Sequence, residues 1–183
     1  MKKNVLLIFA TILLISCGST KTFQSFFNDH KNDVGVTAFQ VPNFMKSLLS
    51  SISPEMGGLF NNVKDFKFLT FNEISATKKA QLIQQMNLVT NTRYTDVLRK
   101  NTSEKTKIVS VIEDGDIVKE AIIFNSTLAK SSVFYLKGNF DPNTLKNISE
   151  TNQFENLSSK LLQNNFTPTN TGFNPNTGFN PNN

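Results

Sequence analysis

One cysteine and one histidine in 183 residues bound the nucleophilic and acid–base chemistry open to this chain. A Cys–His or Ser–His–Asp centre would need His30 as its base. His30 stands in the polar run Asn28-Asp29-His30-Lys31, ahead of the first predicted strand, where an exposed side chain is expected. Carboxylates are densest at Glu113-Asp114-Gly115-Asp116, with Glu120 further on. Oxygen donors of this kind suit Ca2+, but the spacing of an EF-hand loop is missing. Asp114-Gly115 instead signals a tight hairpin of type I′, which turns its carboxylates outward. No spacing favours one carboxylate pair over another for glycoside hydrolysis. Gly57-Gly58 runs into Leu59-Phe60 rather than into Lys and Ser/Thr. Gly138 leads to Asp141-Pro142, where an acid and a missing amide would repel phosphate. GxGxxG, HExxH and CxxC are absent. The residues therefore assign no catalytic group, no cofactor and no metal ligand, and the expectation is a protein that is not an enzyme.

Cys17 has a different use. Residues 1–17 read MKKNVLLIFATILLISC. Lys2 and Lys3 precede an apolar stretch from Val5 to Ile15, broken only by Thr11. A lasting span needs about 20 residues, so this is the apolar core of a signal peptide, residues 1–16. Leu14-Ile15-Ser16-Cys17 resembles the bacterial lipobox: a small side chain before the scissile bond, then a thiol to accept a diacylglyceryl group. Two or more acyl chains make such an anchor stable, each buried CH2 contributing about 0.8 kcal/mol. Cys17 is the expected lipidation site, and residues 17–33 a lipidated tether. Gly18 is not Asp. By resemblance to lipoprotein sorting signals, this implies the outer membrane. Ser19-Thr20-Lys21-Thr22 lacks an acidic pair, which by similar resemblance implies the periplasmic side over surface display. Loss of Lys2 and Lys3 lowers the formal charge from +5 to +3. That mild excess, with Lys78-Lys79 as its longest basic cluster, excludes a nucleic-acid footprint.

The elements follow from pattern. Phe23, Phe26 and Phe27 fall at i, i+3, i+4 and predict a short helix that either seals the domain's edge or dips into the lipid interface. Val34–Val41 predicts a strand, and Pro42 opens a helix to about Ile52, with Phe44, Leu48 and Ile52 on its core face. Ser53-Pro54-Glu55 starts a second short helix. In the strand Val63–Phe71, Phe66, Phe68 and Thr70 share one face, and Lys67, Leu69 and Phe71 the other. Ser75 caps a helix to about Val89, with Ala76, Ala80, Ile83 and Met86 or Asn87 on its inner side. Residues 91–103 are polar, with a turn of helix at Tyr94–Leu98. Strands follow at Lys105–Glu113, Asp116–Phe124 and Ser132–Asn139. Asp141-Pro142 begins a helix with Leu145 and Ile148 inward, and Phe154, Leu157 and Leu161 mark a last one. This predicts an α+β two-layer sandwich over residues 34–163, a mixed or antiparallel sheet of about five strands with helices on one face. Thr171-Gly172-Phe173-Asn174-Pro175-Asn176 recurs at 177–182, and residues 164–183 read as a disordered tail.

The order of these features resembles a family. A lipobox leader, a Phe-rich lead-in, Gly35-Val36 opening a strand, Tyr94 with Leu98 in a Tyr-x-x-x-Leu turn, and three strands closing at Gly138 resemble the uncharacterised Bacteroidota lipoproteins of domain of unknown function 4252. The likeness spans about residues 20–150, and this chain is Asn-rich where that family often has an acidic segment. The resemblance implies fold and location and brings no catalytic residue. The functional expectation is a non-catalytic outer-membrane lipoprotein, held by its acyl anchor, that binds a protein partner or supports an envelope assembly. The alternative is a small-molecule or lipid-binding module, with Phe66, Phe68, Phe124 and Phe134 lining a cavity rather than filling a core.

Overall fold

The computed structural model describes residues 21–42 and 46–163. Among these, six helices surround one open sheet of six strands. Helix α1 (Phe23–His30) precedes β1 (Val36–Val41). Helix α2 (Lys46–Ile52), a 3-10 turn (Pro54–Met56) and the short α3 (Gly57–Phe60) lead into β2 (Val63–Asn72). Helix α4 (Ala76–Thr90) is followed by β3 (Thr95–Asn101), β4 (Thr106–Asp114), β5 (Ile117–Ser126) and β6 (Lys130–Phe140), then by α5 (Pro142–Glu150) and α6 (Gln153–Gln163). The spatial order is β1-β2-β6-β5-β4-β3, and every neighbouring pair is antiparallel. The signal peptide, Cys17, Phe44, Met45, the side chain of Leu48 and the duplicated tail lie outside the described residues.

Local chemistry starts the helices. The Thr22 hydroxyl accepts from the Ser25 amide while the Ser25 hydroxyl bonds back to the Thr22 amide, each at 3.1 Å, closing a capping box on α1. Ser75 Oγ accepts from Lys78 N at 3.1 Å to start α4. Asp141 Oδ1 accepts from Thr144 N at 2.8 Å, with Pro142 in the first turn of α5. Ser53 caps nothing; its hydroxyl donates to Glu55 at 2.7 Å, and the segment it opens is the 3-10 turn.

The sheet is covered on both faces, where the sequence pattern suggested one. Phe66, Phe68, Val109, Val111, Ala121, Ile123, Phe134 and Leu136 meet α2, α3, α5 and α6 through Leu49, Leu59, Phe60, Leu145, Ile148, Phe154, Leu157 and Leu161. Leu69, Phe71, Ile108, Ile122, Phe124, Val133 and Tyr135 face the other way, against Phe23, Phe26 and Phe27 of α1 and Leu82, Met86 and Val89 of α4. Alternation puts successive residues on opposite faces, so strands that are apolar at both parities need two helical layers. The α+β class and the antiparallel sheet stand; the two-layer sandwich becomes helix, sheet, helix.

Four details differ from expectation. The packed fold begins before residue 34, because Phe23, Phe26 and Phe27 are 4, 0 and 5 % exposed and seal the domain's edge. The turn of helix at Tyr94–Leu98 is absent, and β3 occupies that region. As an edge strand it is exposed at nearly every position, and a register shift between Asp96 and Leu98 breaks the alternation that reveals strands. The β4–β5 loop is Gly115-Asp116 rather than Asp114-Gly115, with positive φ only at Gly115 (+60°), which fits glycine at the first central position. The buried face of α4 is Leu82, Met86 and Val89, rotated from the one expected.

Candidate functional site

A cleft of about 350 Å3 opens where the start of α1 meets the sheet. Phe23 stacks on Tyr135, ring centroids 4.7 Å apart and planes within 9°. Lys67 is opposite Tyr135 in the β2–β6 register, so both side chains leave the same face, and Lys67 Nζ sits 5.3 Å from the Tyr135 ring centre. Lys67 is 5 % exposed and ion-pairs with Asp65. One strand over, Glu120 of β5 lies beside Lys137 of β6, with Lys137 Nζ 3.3 Å from Glu120 Oε1. Tyr94, in the link from α4 to β3, donates its hydroxyl to Glu120 Oε2 at 2.9 Å. Lys21 and Arg93 complete the rim.

The electrostatics follow from this crowding. Burial pushes the Tyr94 and Tyr135 hydroxyls up from the usual tyrosine range, and the Glu120 carboxylate beside them pushes them further. Both stay protonated at neutral pH and serve as hydrogen-bond donors. The carboxylates are neutralised locally, Asp65 by Lys67 and Glu120 by Lys137.

A second cleft, of about 360 Å3, lies at the other end of the strands and on the opposite face. Leu98, Lys100, Thr102, Lys105, Lys107, Glu150 and Asn152 line it. Lys100 and Lys107 are directly opposite across β3 and β4, an unfavourable like-charge pair. Lys107 is buried and donates to the Ser149 carbonyl. Glu155 Oε1 lies 3.7 Å from both Lys105 and Lys107, beyond hydrogen-bond reach. Next to Lys107 in register stands Asn125, 4 % exposed, with both side-chain polar atoms unpaired among the described residues. Gln153 Oε1, both Glu155 oxygens and Ser158 Oγ on α6 are unpaired as well. Thr70, Ser132, Asn125 and Lys107 thus form a buried polar row across four strands beneath the α5–α6 layer.

A family model described as a domain of unknown function (DUF4252) matches residues 27–148. The chain belongs to this family. No curated protein and no solved structure matches it. The residues that carried the sequence resemblance have clear roles in the DUF4252 fold. Gly35 takes φ +77° and its carbonyl accepts from Asn72 N at 3.1 Å, closing the β1–β2 end. At Gly138 a Cβ would stand 2.1 Å from the Asn62 carbonyl oxygen, so only glycine lets β6 pass the start of β2. Tyr94 is the hydroxyl of the first cleft. Helix α6 lies beyond the matched region.

The candidates read from sequence fall elsewhere. Cys17 is outside the described residues. His30 is 7 % exposed rather than free in a lead-in: Nδ1 meets Asp33 Oδ2 at 2.7 Å and Nε2 meets Gln85 Oε1 at 2.8 Å, joining α1 to α4. Of the acidic group, Asp114 is exposed and 3.8 Å from Lys119, whereas Glu120 turns into the first cleft. Among the described residues no three His, Cys, Asp or Glu side chains converge to hold a metal ion. Phe66, Phe68 and Phe134 pack against one another, and Phe124 lies in the opposite core. The family pattern carried Tyr94 alone; Lys67, Arg93, Glu120 and Lys137 went unread as a site. Their signal was charge placed on a strand face that is otherwise apolar, as Lys67 is beside Leu69 and Phe71.

Proposed function

We propose that this chain is a non-catalytic lipoprotein of the bacterial envelope, acylated at Cys17, held at the outer membrane and facing the periplasm, where it engages a protein partner. The observation that carries this reading is the short distance between anchor and fold. Cys17 stands four positions before Lys21, the first rim residue of the cleft. Four residues reach at most about 14 Å when fully extended. The phenylalanines of α1 are buried against the sheet, so an anchor at Cys17 holds a rigid body at a fixed end rather than a domain on a long leash. Among the described residues no helix is long and apolar enough to cross a membrane; the attachment in this reading is by the leader and its cysteine. A non-catalytic role is supported by His30, whose two nitrogens are taken by structural partners, and by Glu120, which is neutralised where it stands. For a protein partner, the open sheet offers two edge strands, β1 and β3.

Carbonate-washed membranes test the anchor: the native protein stays with the membrane and a Cys17→Ala variant is released. Retention of the variant would overturn lipidation as the means of attachment. Crosslinked pull-down of the native protein from membranes tests the partner. One dominant protein, lost with Cys17→Ala, is the expected result; background alone would shift weight to small-ligand binding in the clefts.

A further inference from the structure

We propose that the cleft beside the tether binds a phosphate group, presented by a lipid headgroup or as free phosphate, with Arg93 as its main contact. The argument is an inventory of unused hydrogen-bonding capacity. Both carboxylates in the cleft already have partners, Asp65 in Lys67 and Glu120 in Lys137 and Tyr94. What remains is donors. Among the described residues no side-chain hydrogen bond or ion pair engages the Arg93 guanidinium. Lys67 and Lys137 each use one close contact where an ammonium offers three donors. Lys21 is only 3.7 Å from Asp29, an exposed and loose pairing. Four cations thus face two carboxylates that are already neutralised. A guanidinium fork fits two oxygens of one phosphate, and the ammonium groups can meet its other oxygens. A ligand rich in donors would meet two carboxylates that are already paired with cations. Binding of phosphate stands without the anchor; the lipid headgroup as its source rests on acylation at Cys17, which brings the cleft's rim within a few residues of the bilayer.

Tyr94 and Tyr135 are the only tyrosines of a chain without tryptophan, and both line this cleft, so intrinsic emission reports on it; Tyr94 also borders a neighbouring cleft with Arg99, which the Arg93→Gln comparison separates. The full-length protein in detergent is titrated with inorganic phosphate, then placed in nanodiscs of a phosphate-free galactolipid with or without phosphatidylglycerol. A saturable change in tyrosine emission is expected, about tenfold weaker in Arg93→Gln, the loss of one charged hydrogen-bonding partner. Lys137→Gln should weaken it in the same direction, and Lys100→Gln, at the other cleft, should leave it unchanged. If phosphatidylglycerol reproduces the change and blocks the response to phosphate, the source is the headgroup. If it does neither, the source is free phosphate. No saturable response in either arm, or an identical response in Arg93→Gln, would overturn the proposal. Release of Cys17→Ala from membranes is scored separately, so failure of the anchor and failure of the cleft are distinguishable.

Discussion

The two polar clefts have similar volumes but opposite unmet needs. Beside the tether, carboxylates are paired and hydrogen-bond donors are in surplus. At the far end, Lys107 is committed to a backbone carbonyl, and behind that cleft, in the buried layer under α6, oxygens of Asn125, Gln153, Glu155 and Ser158 are unpaired among the described residues. Unpaired polar atoms at such depth call for ordered water, which can donate to two oxygens at once. The difference teaches that cleft size says little about what a cleft takes. The first seeks an acceptor from outside; the second is suited to water and to holding α6 against the sheet.

The severest test of the comparison removes its common scaffold. Gly138→Ala forces a methyl against the Asn62 carbonyl, next to Lys137, and should cost about 3 kcal/mol. Chemical denaturation should show both clefts lost in one transition; a native-like midpoint would mean that the strand crossing yields. Next, the same kind of change should have opposite signs at the two ends. Tyr94→Phe removes a hydroxyl bonded to a carboxylate and should destabilise by about 2 kcal/mol. Asn125→Leu removes a buried amide with no partner among the described residues and should be neutral or stabilising by about 1 kcal/mol. Equal losses in thermal melts would abolish the distinction.

Titration sharpens it further. Tyrosines whose ionisation is raised in the fold contribute stability that is complete below their unfolded value, about 10, and is lost as pH rises beyond it. Phenolate absorbance should therefore stay silent past about pH 10 and then emerge together with unfolding. A normal titration in the folded protein would mean an open cleft. The smallest effect lies on the side of the second cleft. Glu55 is lowered to about 2 by its own backbone amide, then by the Ser53 hydroxyl and by Lys160 of α6. Its contribution is present above the unfolded carboxylate value and fades as pH falls toward 2. Because the pair is exposed, Glu55→Gln should flatten the acid limb of the melting curve by only a few tenths of a kcal/mol.

The fold was legible wherever a signal was local. Ser75, Asp141 and Pro142 marked helix starts because a cap is made within three residues of itself. The two faces of β2 could be read from Phe66 and Phe68 against Lys67, Leu69 and Phe71. Strand β3 was not legible, since an edge strand with a register shift shows no period. The second helical layer was written in the same strands, apolar at both parities, but went unread because α1 lies ahead of the expected domain start and the buried face of α4 is rotated from the expected one. The tether-side cleft was hidden for another reason. Lys21, Lys67, Arg93 and Lys137 come from four separate segments, so no basic run announces them. Only pairing across strands brings them together.

The strand order also bears on when this cleft exists. Strands β3 to β6 pair with sequence neighbours through short turns. Strand β2 must find β6 across a long separation; Thr70 and Ser131, in contact across that seam, are 61 residues apart. Closing so long a loop carries the larger entropic cost, which makes β2–β6 the late contact of folding. Lys67 and Asp65 stand on one side of that seam, with Tyr135, Lys137 and Glu120 on the other. The cleft is therefore complete only once β2 has docked on β6, and a ligand held there selects molecules in which that seam has closed.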